Sequence, residues 1–245
     1  MSCIRFVRLV VFGWLLIGLT GCQFAGSGDM TADEAFALSA SALSGSESYG
    51  LSGEVSVLDA SGIVANRAEY EGEVTEHGKL NVQWKSSNTM AAATDQTSAS
   101  LYEPLGLMEA IQAKSASIAY RNNGGDADEV HFEIKLNGDV AKRRIADQLR
   151  KELSALEEDK TLLARKPDQS ASLLAEAKMT LEKAIDSLKV TTNCEWSANR
   201  RTWFPTRLQE DTVLEYKWNG KSYSEKRASV TNFRTGSGDG TMDRH

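Results

Sequence analysis

The chain has 245 residues, 41% of them hydrophobic, and carries 34 acidic against 28 basic side chains for a net charge of −6 at pH 7. Ordinary apolar content and only three prolines exclude a largely disordered chain. The excess negative charge argues against nucleic acid or an anionic lipid surface as a partner, because both select Lys and Arg.

The amino-terminal segment predicts a secretory signal peptide. Two positive charges, Arg5 and Arg8, lie at the start of an apolar run that ends at Gly18. This run is too short for a membrane-spanning helix, which needs about 20 apolar residues. A plain secreted signal with a chance cysteine is the other alternative. Small residues follow at a predicted cleavage point, in the order Leu19-Thr20-Gly21-Cys22.

These four residues resemble the lipobox of bacterial lipoproteins. The resemblance implies that Cys22 receives a diacylglycerol and that the chain is cut just before it. Residues 1–21 would then be the signal peptide and 22–29 a lipidated tether. The remaining chain would carry 26 Lys and Arg against 34 Asp and Glu, a net charge of −8. The predicted location is the extracytoplasmic face of the cell envelope, where the lipid on Cys22 anchors the protein to a membrane.

The third cysteine predicts a structural role. Cys194 has no partner for an internal disulfide, because Cys3 would leave with the leader and Cys22 would carry lipid. It alternates with Val190 and Trp196 as on one face of a strand, which favours a buried, unreactive thiol. A reactive thiol, or one that pairs between chains, is the alternative.

The first elements after the tether are a helix and a meander of strands. Thr31 and Glu34 fit a capping box, and Gly45 is a plausible end of the helix. Alternation of apolar and polar residues then predicts three strands, around Leu51–Val57, Ile63–Val74 and Leu80–Trp84. Turns are expected at Asp59–Gly62 and Glu76–Lys79, and a long loop is expected from Ser86 to Ser100.

The middle of the chain predicts three helices and two strands. A short helix begins at Pro104 and buries Leu105, Met108 and Ile111. Strands at Ile118–Tyr120 and Val130–Leu136 flank a turn at 122–126. A helical pair follows at about 140–188, with Asp168 or Ser170 as the cap of its second helix. Its apolar stripes are Ile145, Leu149, Leu153 and Leu156, then Leu173, Ala177, Leu181, Ile185 and Leu188. The pair either covers the sheet or contacts a partner.

Three more strands close the domain, at Val190–Trp196, Leu214–Trp218 and Tyr223–Phe233. Asn219-Gly220 predicts a two-residue hairpin turn between the last two strands. Residues 235–245 are expected to form a flexible tail. This order of elements predicts one α+β domain over residues 30–234, with a largely antiparallel sheet.

The pattern is similar to the LolA/LppX-type lipoproteins of bacterial envelopes. The residues that carry the likeness are the helix after the tether and three segments: Leu51-Ser52-Gly53-Glu54-Val55, Pro104-Leu105-Gly106-Leu107-Met108, and Trp203-Phe204-Pro205-Thr206-Arg207 with Leu214-Glu215-Tyr216. The resemblance implies a curved sheet, an incomplete barrel, that wraps around helices and encloses an apolar cavity. The helical pair would be a hairpin inserted into that fold. Family members carry lipids or lipoproteins, or have no assigned ligand, and they offer no catalytic residue to carry over.

No motif predicts an enzyme, a metal site or a cofactor. The histidines, His77, His131 and His245, lack the spacing of a zinc site, and the chain has no GxSxG, P-loop or GxGxxG pattern. Asp126, Asp128 and Glu129 lack the ligand pattern of a calcium loop.

Five aromatic residues in alternating strands are the candidate ligand-binding residues: Trp84, Phe132, Trp196, Tyr216 and Trp218. If they share the concave face they would line a cavity, and otherwise they are plain core. The leading hypothesis is therefore a non-enzymatic, lipid-anchored envelope protein that binds or carries an apolar ligand or an envelope component. The alternative is an interaction or sensing module, in which the core is filled and the charged helical pair contacts an envelope protein.

Overall fold

The computed structural model describes residues 30–75, 79–86, 104–112, 116–121, 127–158 and 167–236. The chain separates into a short unit, Met1–Thr31, and a main unit, Ala32–His245, which holds every helix and strand described below. The signal peptide, the lipobox and the tether lie outside the described residues, as do His77, the 122–126 turn and most of the predicted 86–100 loop. The boundaries at residues 21 and 29 therefore stay predictions.

The main unit is an α+β domain built on one eight-stranded sheet. The strands are β1 (Tyr49–Leu58), β2 (Val64–Thr75), β3 (Lys79–Ser86), β4 (Ala116–Tyr120), β5 (Glu129–Leu136), β6 (Lys189–Asn199), β7 (Pro205–Trp218) and β8 (Lys221–Thr235). The helices are α1 (Ala32–Ser44), α2 (Pro104–Gln112), α3 (Gly138–Glu158) and α4 (Pro167–Ser187).

The strand order is β3-β2-β1-β8-β7-β6-β5-β4, and every neighbouring pair is antiparallel. Within the described strands, β3 and β4 each have one neighbour, so the sheet is not closed into a barrel. The predicted α+β class and antiparallel sheet are confirmed. The first and last strands are neighbours in the interior of the sheet, where Tyr49 lies opposite Thr235 and Leu58 opposite Lys226.

Turn chemistry joins the strands where the sequence predicts it. The Asp59 carboxylate accepts hydrogen bonds from the backbone N–H groups of Ser61 (2.9 Å) and Ile63 (3.0 Å). Asn219 and Gly220 have φ values of 50° and 78°, as a two-residue turn between twisted strands requires. Both predicted turns are confirmed.

Strand register places the large apolar side chains on one face of the sheet, here called the inner face. Opposite pairs on this face include Tyr70–Trp84, Trp196–Phe132 and Leu214–Val190. The opposite face carries exposed charges, with ion pairs such as Lys85–Glu71 at 2.8 Å and Lys226–Asp211 at 2.7 Å. The inner face is where the helices pack: α3 contacts β6, α4 contacts β7, and α1 contacts β4 and β7.

The centre of the core is an aromatic cluster beneath α1. The ring of Phe36 packs edge-on against Trp196 at 5.3 Å and against Phe132 at 6.1 Å between ring centroids. The Trp196 indole N–H donates a hydrogen bond to the Ser39 hydroxyl at 2.8 Å, and all of these side chains are buried. A buried tryptophan needs such a partner, and the α1 serine provides it.

Several boundaries differ from the predictions, and three of the differences have a clear physical reason or consequence. Strand β7 begins at Pro205 rather than Leu214, because its backbone pairs with both β6 and β8 although Gln209 to Thr212 are polar. Helix α4 begins at Pro167 rather than after an Asp168 or Ser170 cap, since proline needs no N–H partner in a first turn. Strand β8 includes Thr235, one residue into the predicted tail.

The helical pair is antiparallel, and its two ends differ in burial. Lys142, early in α3, donates to the backbone carbonyl of Asp186, late in α4, at 3.2 Å, and Arg150 pairs with Glu182 at 2.7 Å. Near the sheet the predicted stripes are buried at Ile145, Ile185 and Leu188. Farther out they are exposed, with Leu173 at 59% and the nearby Met179 at 61%. No helix in the described ranges has an apolar stretch long enough to cross a membrane.

Candidate ligand site beneath the helical pair

An apolar groove of about 390 Å³ lies between the helical pair and the inner face. The helical pair and the residue that follows it contribute Leu149, Leu181, Ala184, Ile185 and Leu188. The sheet contributes Leu214, Tyr216, Trp218 and Tyr223. Tyr216 and Tyr223 stack with ring centroids 5.7 Å apart, which forms a flat aromatic wall. The volume falls in the range of about 300–1,000 Å³ that is typical of small-molecule sites.

A second space of about 160 Å³ lies next to the groove and has a mixed lining. We call it the polar cavity after the polar and charged side chains in that lining, among them Arg144, Gln148 and Glu210. Glu225 and Arg227 of β8 line both spaces, and their side chains form an ion pair at 2.6 Å. Ile145 of α3 lines the cavity and Leu149, about one turn later, lines the groove. One site with an apolar part and a polar part therefore lies under α3.

A buried ion pair forms the centre of the polar cavity. The guanidinium of Arg144 on α3 contacts Oε1 of Glu210 on β7, and the Thr212 hydroxyl donates to the same oxygen at 2.8 Å. Glu210 is only 5% exposed. Burying a carboxylate this completely costs free energy unless cations and hydrogen-bond donors surround it. Arg144 and Thr212 therefore stabilise the buried carboxylate of Glu210.

Among the described residues, five polar side-chain atoms on α3 and the inner face are buried and have no hydrogen-bond partner, and all but that of Glu152 belong to residues that line the cavity. They are Nε of Arg144, Nε2 of Gln148, Oε1 of Glu152, Oε2 of Glu210 and Oγ of Ser229. Arg144, Gln148 and Glu152 are spaced by four residues, which places them on one face of α3. Buried polar groups in native proteins are almost always paired with protein, water or ligand, so either water or a polar ligand would satisfy these atoms.

Glu152, on the same face of α3 as Arg144 and Gln148, has a carboxyl group whose pKa is shifted by burial. Burial raises the pKa of its carboxyl to about 7 from an ordinary value of 4.5, and the positive charge of Arg227 only partly opposes the rise. Near neutral pH the side chain is therefore present in both protonation states, and can either donate or accept a hydrogen bond.

We expect Glu152→Gln to stabilise the protein at pH 8 and to leave it nearly unchanged at pH 4. The folded state binds the Glu152 proton more tightly than the unfolded state, so stability falls as pH rises from 4.5 to about 7. Because the side chain is partly solvated, the gain is about 1 kcal/mol, or roughly 2–4 °C in melting temperature. Thermal melts from pH 4 to 8 measure it. Exposed Glu158→Gln is the control, and identical pH slopes for Glu152→Gln and the native chain would contradict the expectation.

All five predicted ligand-binding aromatics lie on the inner face, but the structure divides them among three places. Tyr216 and Trp218 line the groove. Phe132 and Trp196 are buried in the aromatic cluster under α1. Trp84 is half-buried near the β3 edge and packs on Tyr70, with centroids 5.1 Å apart. The structure therefore does not bring them together around one cavity, and their role in binding stays a prediction.

Sequence reasoning missed the polar half of the site. The sequence-based prediction names none of Arg144, Gln148 and Glu152, although they lie directly beside the apolar stripe of Ile145 and Leu149. Glu210 fell in a segment without an assigned strand. The signal that would have found it is alternation, because Leu208, Glu210, Thr212 and Leu214 occupy every second position and all are buried.

The remaining chemistry-bearing side chains lie outside this arrangement or are inert. Cys194 lies on β6, opposite Glu210 of β7, and is buried as its alternation predicts. Burial raises the pKa of its thiol. His131 pairs with the Ser197 hydroxyl at 2.8 Å on the outer face of the sheet. Within the described ranges, no group of three His, Cys, Asp or Glu side chains is placed to hold a metal ion.

The sequence matches no protein-family model and no curated protein. Among solved structures, a LolA superfamily protein from Nitrosomonas europaea is similar over 84% of this chain and 92% of its own, at 8% identity and a TM-score of 0.22. An acyl-CoA thioesterase II from Mycobacterium marinum is similar over 84% and 91%, at 12% identity and a TM-score of 0.17. Similarity at these TM-scores carries no argument about function, so the family resemblance stays a prediction.

Proposed function

We propose that this chain is a non-enzymatic, lipid-anchored protein of the bacterial cell envelope, and that it binds an apolar ligand in the groove beneath the helical pair. The observation that carries the binding part is the groove itself. It joins aliphatic side chains of α3 and α4 to a stacked aromatic wall on β7 and β8. Burial of an acyl chain there would add about 25 cal/mol for each Å² of apolar surface removed from water.

We also propose the finer description of the fold, a curved, incomplete barrel of the LolA/LppX type with the helical pair as an insertion. Its support is the open, fully antiparallel sheet with helices packed on the inner face. Such a sheet can bind a lipid only if part of its inner face is left unfilled by side chains. The groove is the unfilled part.

The anchor is tested by Cys22→Ser. Oxygen at this position cannot form the thioether that lipobox processing requires, so the variant is expected to stay uncleaved or to be released from the detergent phase. Phase partitioning and the mass of the amino-terminal peptide measure the result. Cys3→Ser is the matched control and should change neither. Normal processing and retention of the Cys22→Ser protein would refute the lipobox interpretation.

Ligand binding is tested by thermal shift with single-chain acyl compounds. A ligand that binds only the folded state at a hundredfold excess over Kd adds about 2.7 kcal/mol of stability, which is several degrees for a domain of this size. Tyr223→Ala should reduce the shift, because it removes half of the stacked wall of the groove. The expected reduction is a several-fold loss of affinity.

Tyr120→Ala is the matched control for that experiment. Tyr120 and Tyr223 are 42% and 44% exposed, and each stacks on a neighbouring ring, with centroids 5.5 Å and 5.7 Å apart. Only Tyr223 lines the groove. Equal ligand shifts in the two variants would move the binding site elsewhere, and no shift with any acyl compound in the native chain would reject the proposal.

The outer half of the helical pair supports the second candidate, an interaction module. Leu156, Leu173 and Met179 are exposed there, away from the sheet. In this function the pair contacts another envelope protein, and the groove is incidental. Replacing Leu173 and Met179 with Gln separates the candidates, since it would abolish a protein contact without changing the thermal shift produced by acyl ligands.

A further inference from the structure

We propose that the polar cavity binds the head group of the same amphiphile whose chain occupies the apolar groove, and that this head group is uncharged and rich in hydroxyl groups. The inference rests on the proposed function, because it needs an apolar chain in the groove. It goes further by naming the chemical class of the ligand.

The first argument is adjacency. The two spaces share Glu225 and Arg227 as walls and lie one helical turn apart along α3. A ligand whose chain contacts Leu149 and Tyr216 would place its polar end beside Arg227, toward the cavity. Two separate ligands would leave the shared ion pair between them.

The second argument is the set of atoms that lack a partner. Arg144 Nε and Gln148 Nε2 can only donate, Glu210 Oε2 accepts, and Ser229 Oγ does both. A ligand that satisfies them all must donate and accept within a small volume. Hydroxyl groups do both, whereas a carboxylate or phosphate only accepts and an ammonium group only donates.

The third argument is charge. Arg144 is paired with Glu210, and Arg227 with Glu225, so the cations of the cavity are already balanced. An anionic head group would meet the unpaired oxygen of a buried carboxylate, Glu210 Oε2, at close range. This repulsion favours an uncharged head group over a phosphate or a fatty-acid carboxylate.

The test compares ligands with one chain and different head groups. The full chain is held in peptidiscs, which avoid competing detergent, and is titrated calorimetrically with monodecanoylglycerol, methyl decanoate, decanoate and decyl phosphate below their micellar concentrations. We expect monodecanoylglycerol to bind roughly tenfold more tightly than methyl decanoate, from two or three added hydrogen bonds. We expect both anionic ligands to bind more weakly than monodecanoylglycerol.

Gln148→Met and Ser229→Ala then locate the preference. Each variant removes a buried atom that has no protein partner, so neither should lower the melting temperature of the ligand-free chain. Each should reduce the preference for monodecanoylglycerol over methyl decanoate several-fold. Ser154→Met, on the exposed side of α3, and Ser224→Ala, on the outer face of β8, are the matched controls and should keep it.

Three results would overturn the inference. Equal binding of monodecanoylglycerol and methyl decanoate would mean that the cavity holds water only. Tightest binding of decanoate or decyl phosphate would identify an anion site. A preference that survives in both Gln148→Met and Ser229→Ala would place head-group recognition elsewhere. In these cases the apolar groove and the proposed function stand, whereas failure of all four ligands to bind rejects both together.

Discussion

Trp196→Ala is expected to lower the free energy of unfolding by about 3–5 kcal/mol, the range for removing a large buried aromatic side chain. The indole is fully buried, contacts Phe36 edge-on, and lies 5.7 Å from Phe233 between ring centroids. The substitution also leaves the buried Ser39 hydroxyl without the indole N–H. Chemical denaturation measures the loss, which corresponds to roughly 10 °C in melting temperature.

The control for this prediction is Trp218→Ala. Trp218 is partly exposed at the edge of the groove, and its removal should cost less than about 1 kcal/mol while weakening ligand binding. Trp196→Ala should show the opposite pattern, with lower stability and unchanged affinity in the folded fraction. If Trp196→Ala lowered ligand affinity without lowering stability, the prediction would be wrong and Trp196 would belong to the ligand site.

Arg144→Met is expected to lower the free energy of unfolding by about 3–5 kcal/mol, because it leaves the carboxylate of Glu210 buried without its cation. The only other protein donor to that carboxylate is the Thr212 hydroxyl among the described contacts. Urea denaturation at pH 7 measures the effect, and the m value shows whether the folded state stays compact.

The double variant Arg144→Met/Glu210→Met separates the charge from the packing. With both partners replaced by apolar side chains no charge remains buried, so most of the stability should return. A double variant as unstable as Arg144→Met would show that the packing of the methylene groups, and not the unpaired charge, produces the loss.

The secondary structure could be predicted from the sequence wherever local chemistry decides it. Alternation predicted β5, Asn219-Gly220 predicted the last hairpin turn, and spacing of four predicted the stripe on α3. Local chemistry does not decide β7, where Gln209 to Thr212 would be a loop in isolation. The hydrogen-bond ladders of β6 and β8 hold that segment extended, and both ladders are long-range.

The candidate site was predicted less well because burial of polar residues is a tertiary property. The aromatic residues share the inner face, as expected for alternating strands, but α1 fills the space around Phe132 and Trp196. No periodicity shows which part of a face a helix will cover. From the sequence alone, charged residues such as Arg144 and Glu210 are expected on the surface. Only the packing of α3 against β7 buries this pair.

The pairing of β1 with β8 in the interior of the sheet has a consequence for the order of folding. Residues around Tyr49 need residues around Thr235, so the middle of the sheet cannot form until nearly the whole domain is present. Until then the meander of β1 to β3 has an unpaired edge at β1, which is open to pairing with other chains. Sheets that depend on such distant contacts fold slowly, because loop closure precedes the contacts that stabilise it. A partly synthesised chain would therefore be the form most prone to aggregation.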